Sequence, residues 1–60
     1  MVSVGYDLGT QVLEIEFRDG SVYQYFAVHA SVHGSLMEAP SKGGYFHDHI
    51  RDRYRYRQVE

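Results

Sequence analysis

The chain has no cysteine, which excludes both disulfide bracing and a thiolate-held metal. It has one proline, Pro40, so the one place where the chain is obliged to break lies late in the sequence. No apolar run approaches the roughly 18 residues that a membrane span needs, and the N-terminus lacks the basic-then-apolar order of a secretory signal. A cytoplasmic setting with no membrane partner is expected. Sixty residues make one small domain over 1–60. A chain of this size buries only about 60 % of the surface its unfolded form exposes, and its stability is expected to be roughly 3–5 kcal/mol. Without covalent staples, support has to come from dense aromatic packing or from a partner. The aromatic supply is large: six Tyr and three Phe. Tyr joins a large apolar ring to a hydroxyl that must be hydrated or bonded, so several of these rings should be half-exposed.

Charge is unevenly spread. Residues 1–41 carry a formal −4, residues 42–57 carry +3 through Lys42, Arg51, Arg53, Arg55 and Arg57 against Asp48 and Asp52, and Glu60 adds −1. Such a split predicts one basic face, which bears on partners and not on fold.

Hydropathy patterning predicts the elements. Val2, Val4 and Tyr6 alternate as a short strand, and Asp7-Leu8-Gly9-Thr10 reads as a turn. Gln11 to Phe17 is the clearest strand, with Leu13, Ile15 and Phe17 on one side. Arg18-Asp19-Gly20 then closes a hairpin onto Val22–Phe26. A two-residue Asp-Gly loop would set Phe17 opposite Val22. A three-residue loop with a left-handed Gly20 would set Phe17 opposite Ser21 and gather Leu13, Ile15, Phe17, Tyr23 and Tyr25 on one face. The second register is favoured, because a one-residue slip scatters that set.

Val28 to Ala39 shows helical spacing at Val32, Leu36 and Ala39, weakened at Gly34 by about 1 kcal/mol relative to Ala. Pro40 ends it. Ser41 is placed to cap a second helix that carries Phe46 and Ile50 on one face and begins late because of Gly43 and Gly44. From about Arg53 the period becomes two, with arginines alternating against Tyr54 and Tyr56, which reads as a last strand. The expectation is an α+β domain, an antiparallel sheet with two short helices on one face, in the order β-β-β-α-α-β.

These residues resemble the KTSC family, named for a short domain found after the catalytic region of some lysyl-tRNA synthetases and also as a free-standing small protein. The matching pieces are Val4-Gly5-Tyr6-Asp7, Leu13-Glu14-Ile15-Glu16-Phe17, Gly20, Val22-Tyr23-Gln24-Tyr25-Phe26-Ala27-Val28, Leu36-Met37-Glu38-Ala39-Pro40-Ser41-Lys42-Gly43, Tyr45-Phe46 and Ile50-Arg51-Asp52-Arg53-Tyr54. They run in order along almost the whole chain. Family members often carry proline after the position of Val28, where this chain has His29, and between the last two aromatics, where it has Arg55. The resemblance implies no enzyme activity, no catalytic residue and no cofactor. Its association with synthetases implies binding of RNA or of an RNA-bound complex.

Candidate sites follow in order of chemical promise. Arg51, Arg53, Arg55 and Arg57 with Tyr54 and Tyr56 can grip phosphates and stack on unpaired bases. The plainer reading is a solvated edge whose arginines pair with Asp48 and Asp52. The turn Ser41-Lys42-Gly43-Gly44 offers converging N–H groups and a helix N-terminus to an anion. It lacks the order of a P-loop, and a plain cap between helices explains it as well. His29, His33, His47 and His49 do not form a three-ligand set by spacing and read as surface residues. Glu14 and Glu16 read as a solvated sheet face, and Tyr23, Tyr25, Tyr45 and Phe46 as core in preference to a stacking platform. The sequence therefore points to a non-catalytic binding module. Its sites would be Lys42, Gly43, Arg51, Arg53, Tyr54, Arg55 and Arg57, and its partner RNA or an RNA-bound protein. The alternative is a protein-interaction or oligomerisation module.

Overall fold

The computed structural model describes residues 1–60. Three strands, β1 (Ser3–Asp7), β2 (Val12–Glu16) and β3 (Val22–Tyr25), form a meander. Helices α1 (Ala30–Glu38) and α2 (Lys42–His49) follow, and β4 (Tyr56–Gln58) returns to the sheet. The strand order is β1-β2-β3-β4 and every pairing is antiparallel. This is the expected α+β arrangement and element order. No helix is long and apolar enough to cross a membrane.

The hairpin takes the three-residue register. Ile15 faces Tyr23 and Leu13 faces Tyr25, Gly20 is left-handed at φ +87°, and the N–H of Phe17 donates to the carbonyl of Ser21 at 2.9 Å. Asp19 holds the turn from its side chain by accepting from the N–H of Ser21 at 3.0 Å and its hydroxyl at 2.6 Å. These bonds keep its carboxyl below the usual carboxylate range.

The register decides which side is buried. Leu13, Ile15 and Tyr25 from the sheet meet Leu36 of α1, Phe46 of α2, and Val28 and Ile50 from the adjoining loops in one core. Burying side chains of this size is worth about 1.5–3 kcal/mol each. The other side of the sheet is free of helices.

Three boundaries differ from the sequence reading. Helix α1 begins at Ala30 and not at Val28, because Val28 is fully buried and its N–H donates to the carbonyl of Gln11 at 2.9 Å. His29 caps the helix instead, its Nδ1 accepting from the N–H of Ser31 at 3.3 Å. Helix α2 does not begin late. Ser41 Oγ accepts from the N–H of Gly44 at 3.1 Å and the Ser41 carbonyl accepts from Tyr45 at 3.0 Å, so the cap carries both glycines into the first turn. The last strand begins at Tyr56 and not near Arg53. Burial of Ile50 curls the chain first: the Phe46 carbonyl accepts from both Ile50 and Arg51, at 3.0 and 2.9 Å, and the N–H of Arg53 returns to the Ile50 carbonyl at 3.0 Å.

Candidate functional site

The pairing of β3 with β4 builds a groove that neither strand shows alone. Tyr25 faces Tyr56 and Tyr23 faces Gln58. The Tyr23 hydroxyl donates to Gln58 Oε1 at 3.1 Å. Tyr56 lies 5.8 Å from the ring of Tyr23 and 5.7 Å from that of Tyr25. Phe46 meets Tyr25 edge-on at 5.3 Å and Phe17 at 5.6 Å. The result is a continuous aromatic floor beneath a groove of about 690 Å³. Its exposure is graded: Tyr25 is 4 % exposed and Tyr56 is 57 % exposed, so the floor rises from the core to a ring that meets solvent. Rings of this kind offer π-faces to a planar ligand.

The groove gathers polar residues from two separate stretches. Gly43 comes from the first turn of α2, and Arg51 and Asp52 from the turn after it; Arg18 and Asp19 come from the β2–β3 loop. The Tyr25 hydroxyl registers this setting. Its pKa is pushed up to about 12, chiefly by burial and then by the neighbouring Tyr23 and Tyr56, while the Arg51 guanidinium pulls the other way.

The expected site residues divide. Gly43 and Arg51 line the groove, together with Tyr56. Lys42 is exposed beside them as the first residue of α2. It stands at a helix start where a cation is unfavourable unless an anion is present. Arg53 is exposed in the turn, and Tyr54 is half-buried against the core, so its ring is less free to stack than that of Tyr56. Arg55 and Arg57 alternate with Tyr56 and so belong to the helix-free side. There Arg57 donates to Gln24 Oε1 at 3.2 Å, and Gln24 in turn donates to Glu14 Oε1 at 3.0 Å. The one close contact between a basic and an acidic side chain is that of His47 Nδ1 with Asp48 Oδ1 at 3.3 Å. No arginine is tied to Asp48 or Asp52, but Arg51, Arg53, Arg55 and Arg57 are all exposed and β4 is an edge strand, so the plainer reading of a solvated edge keeps its exposure and loses only its ion pairs.

Residues that sequence reasoning placed in the core also face the groove. Tyr23, Tyr25 and Phe46 are core and floor at once. Phe17 and the exposed ring of Tyr56 complete it. The signal for this was the one-face set Leu13, Ile15, Phe17, Tyr23 and Tyr25, which extends past what two short helices cover. No three histidine or carboxylate side chains come together as metal ligands do.

Comparison with known proteins bears on this geometry. The model of the KTSC domain matches residues 1–54. Lysine–tRNA ligase of Trichormus variabilis is 48 % identical over 54 residues, which cover 90 % of this chain and 10 % of the ligase. The chain thus spans about a tenth of the length of that relative. An uncharacterised protein of Stutzerimonas stutzeri is 41 % identical over 59 residues, covering 97 % of this chain and 83 % of that one. The crystal structure of a KTSC domain protein from Yersinia pestis superposes with a TM-score of 0.93 at 38 % identity, covering 97 % of this chain and 82 % of that one.

Proposed function

The chain belongs to the KTSC domain family, and on that premise we propose that residues 1–60 act as one non-catalytic module that binds single-stranded RNA, free or held in a protein complex, in a cytoplasmic setting. The observation that carries this reading is the groove in which Arg51 and Gly43 stand over the Tyr23–Tyr25–Tyr56 floor. Unpaired bases stack on Tyr56 and Tyr23, and Arg51, with Lys42 at the groove's rim, meets phosphate oxygens. Arg53, Tyr54, Arg55 and Arg57 flank the path along which a longer strand leaves. Stacking of this kind is worth about 1–3 kcal/mol per base and is tolerant of sequence, so the arginines set affinity and not base preference. That a lysine–tRNA ligase carries a similar segment supports an RNA-bound context.

The test is an amide NMR titration of the labelled protein with a mixed tRNA pool at about 50 and about 200 mM salt, between which phosphate contacts weaken steeply. Shifts are expected at Lys42–Gly44, Arg51 and Tyr56, lost at the higher salt and reduced in Arg51→Gln and Tyr56→Ala. No shift at the lower salt sinks the reading. A second reading has one observation in its favour: Arg18 and Arg51 in the groove are matched in number by Asp19 and Asp52. A charge-balanced aromatic groove also suits an apolar protein segment, whose binding salt would leave nearly unchanged.

A further inference from the structure

The helix-free side of the sheet presents a pattern that the groove does not use. By strand alternation it displays Ser3, Gly5 and Asp7 on β1, then Glu16, Glu14 and Val12 on β2. Val22, Gln24 and Phe26 follow along β3, and Val59, Arg57 and Arg55 along β4. Val12, Val22 and Phe26 are half-buried yet take no part in the core cluster. The charges are sorted by strand: Asp7 lies on the edge strand β1 and Glu14 and Glu16 on the inner strand β2, while Arg55 and Arg57 lie along the opposite edge.

Gly5 is the anomaly on this side. A side chain added there would meet nothing within 4 Å, and its backbone has no positive φ, so nothing within the chain calls for glycine. A gap in the middle of β1 suits something arriving from outside.

We infer that this face takes a second copy of the chain, laid against it about a two-fold axis parallel to the strands. Two axes in the plane of the interface are open to a symmetric pair. An axis perpendicular to the strands sets β1 on β1 and β4 on β4 with the rows reversed, so that Glu14 meets Glu14, Arg57 meets Arg57 and Val12 meets Glu16. An axis along the strands sets β1 on β4 of the second copy. Two of the three rows then match, while the third sets Glu16 on Val22 and Ser3 on Val59 of the second copy. Asp7 meets Arg55 of the second copy, Val12 meets Phe26, Glu14 meets Gln24, and Arg57 of the second copy reaches into the gap over Gly5. Four short strands about 4.8 Å apart make a face smaller than the roughly 800 Å² per partner of a standard stable interface. The dimer is therefore weak, quickly exchanging and salt-sensitive. It leaves both aromatic grooves open on its outer sides but covers Arg55 and Arg57, so Gly5→Lys, which lies away from the RNA path, is the variant that tests it apart from the RNA reading.

The test is sedimentation equilibrium up to about 1 mM protein, a weak-complex range, at about 50 and about 500 mM salt, which differ severalfold in screening length. The wild type is expected to dimerise at low salt and to dissociate at high salt. Gly5→Lys, which sets a cation under the incoming Arg57, and Arg57→Glu are each expected to raise the dissociation constant at least tenfold. The double variant is expected to restore it, because the two new charges then attract. Arg55→Glu, which faces Asp7, is expected to weaken the dimer without touching the Gly5 position. Circular dichroism confirms that each variant is folded. A wild type that stays monomeric at about 1 mM and low salt overturns the proposal, as does dimerisation that Gly5→Lys and Arg55→Glu leave unchanged. Single variants that weaken the dimer while the double one fails to rescue it overturn the stated register.

Discussion

Gln11 and Ala27 face each other in the left-handed region at φ +57° and +56°, and the carbonyl of Gln11 accepts the N–H of Val28 at 2.9 Å. Neither is glycine, and a side chain in that region costs of order 1–3 kcal/mol at each position. The pair turns the chain out of the β2–β3 hairpin so that Val28 enters the core. Ala27→Gly is expected to stabilise the fold by about 0.5–1 kcal/mol, the relief of strain exceeding the added freedom of the unfolded chain. Ala27→Val is expected to destabilise it. Urea midpoints at unchanged slope measure both; a glycine variant weaker than the wild type contradicts the account.

The Tyr6 hydroxyl donates to the carbonyl of the buried Val28 at 2.6 Å. Tyr6→Phe keeps the ring, and with it the stack on His33 at 4.7 Å, but orphans that carbonyl. The expected loss is about 1 kcal/mol, equivalent to roughly 4–8 °C in melting midpoint for so small a domain. A variant that melts with the wild type would show that water replaces the bond at no cost.

The two glycines after Ser41 should respond differently to alanine. A methyl group at Gly43 meets nothing within 4 Å, whereas one at Gly44 comes to 3.1 Å from Ser41 Oγ. Gly43→Ala is expected to stabilise α2 by about 0.5–1 kcal/mol. Gly44→Ala is expected to gain less or to lose, and Ser41→Ala to lose about 1 kcal/mol with the cap. Thermal melts of the three variants decide it. Equal gains from both alanines would mean that the cap is not a tight one.

Tyr25 makes stability fall in strong base. Its hydroxyl titrates near 10 when unfolded and about 12 when folded, so the unfolded chain loses this proton first. The contribution is whole below pH 10 and is lost as pH rises from about 10 to about 12. The loss is of order 1 kcal/mol after screening by water at the groove mouth. Comparing denaturant midpoints of wild type and Tyr25→Phe across that window isolates it. Parallel curves would place the proton elsewhere.

Much of this fold was legible because single residues permit only one local solution. Gly20 and the one-face set from Leu13 to Tyr25 decide the hairpin register. Pro40 and Ser41 mark the break and the next cap. What misled was local periodicity without the core. Arg53, Arg55 and Arg57 look like a strand, but Ile50 has to be buried first, and the chain curls there. Gly43 and Gly44 look like poor helix, yet the Ser41 cap outweighs their cost. The groove was the least legible part. It exists only where Tyr56 comes back to Tyr25 across both helices, a closure that no local pattern encodes. Sequence reasoning named Gly43, Arg51 and Tyr56 but gave no reason to bring them together, and it grouped Arg55 and Arg57 with them although they belong to the other side.

Strand β4 supplies the outer wall of the groove from three residues, none of them buried, at the margin of the sheet. Such a segment is the first to open in local unfolding. Its amide protons should exchange with solvent faster than those of β2, and whenever it lifts, Tyr56 leaves with it. The groove is then a fluctuating object whose apparent affinity equals its intrinsic affinity scaled by the closed fraction. Whatever binds there also latches β4, so occupancy can be followed as slowed hydrogen exchange at Arg57 and Gln58, which do not line the groove.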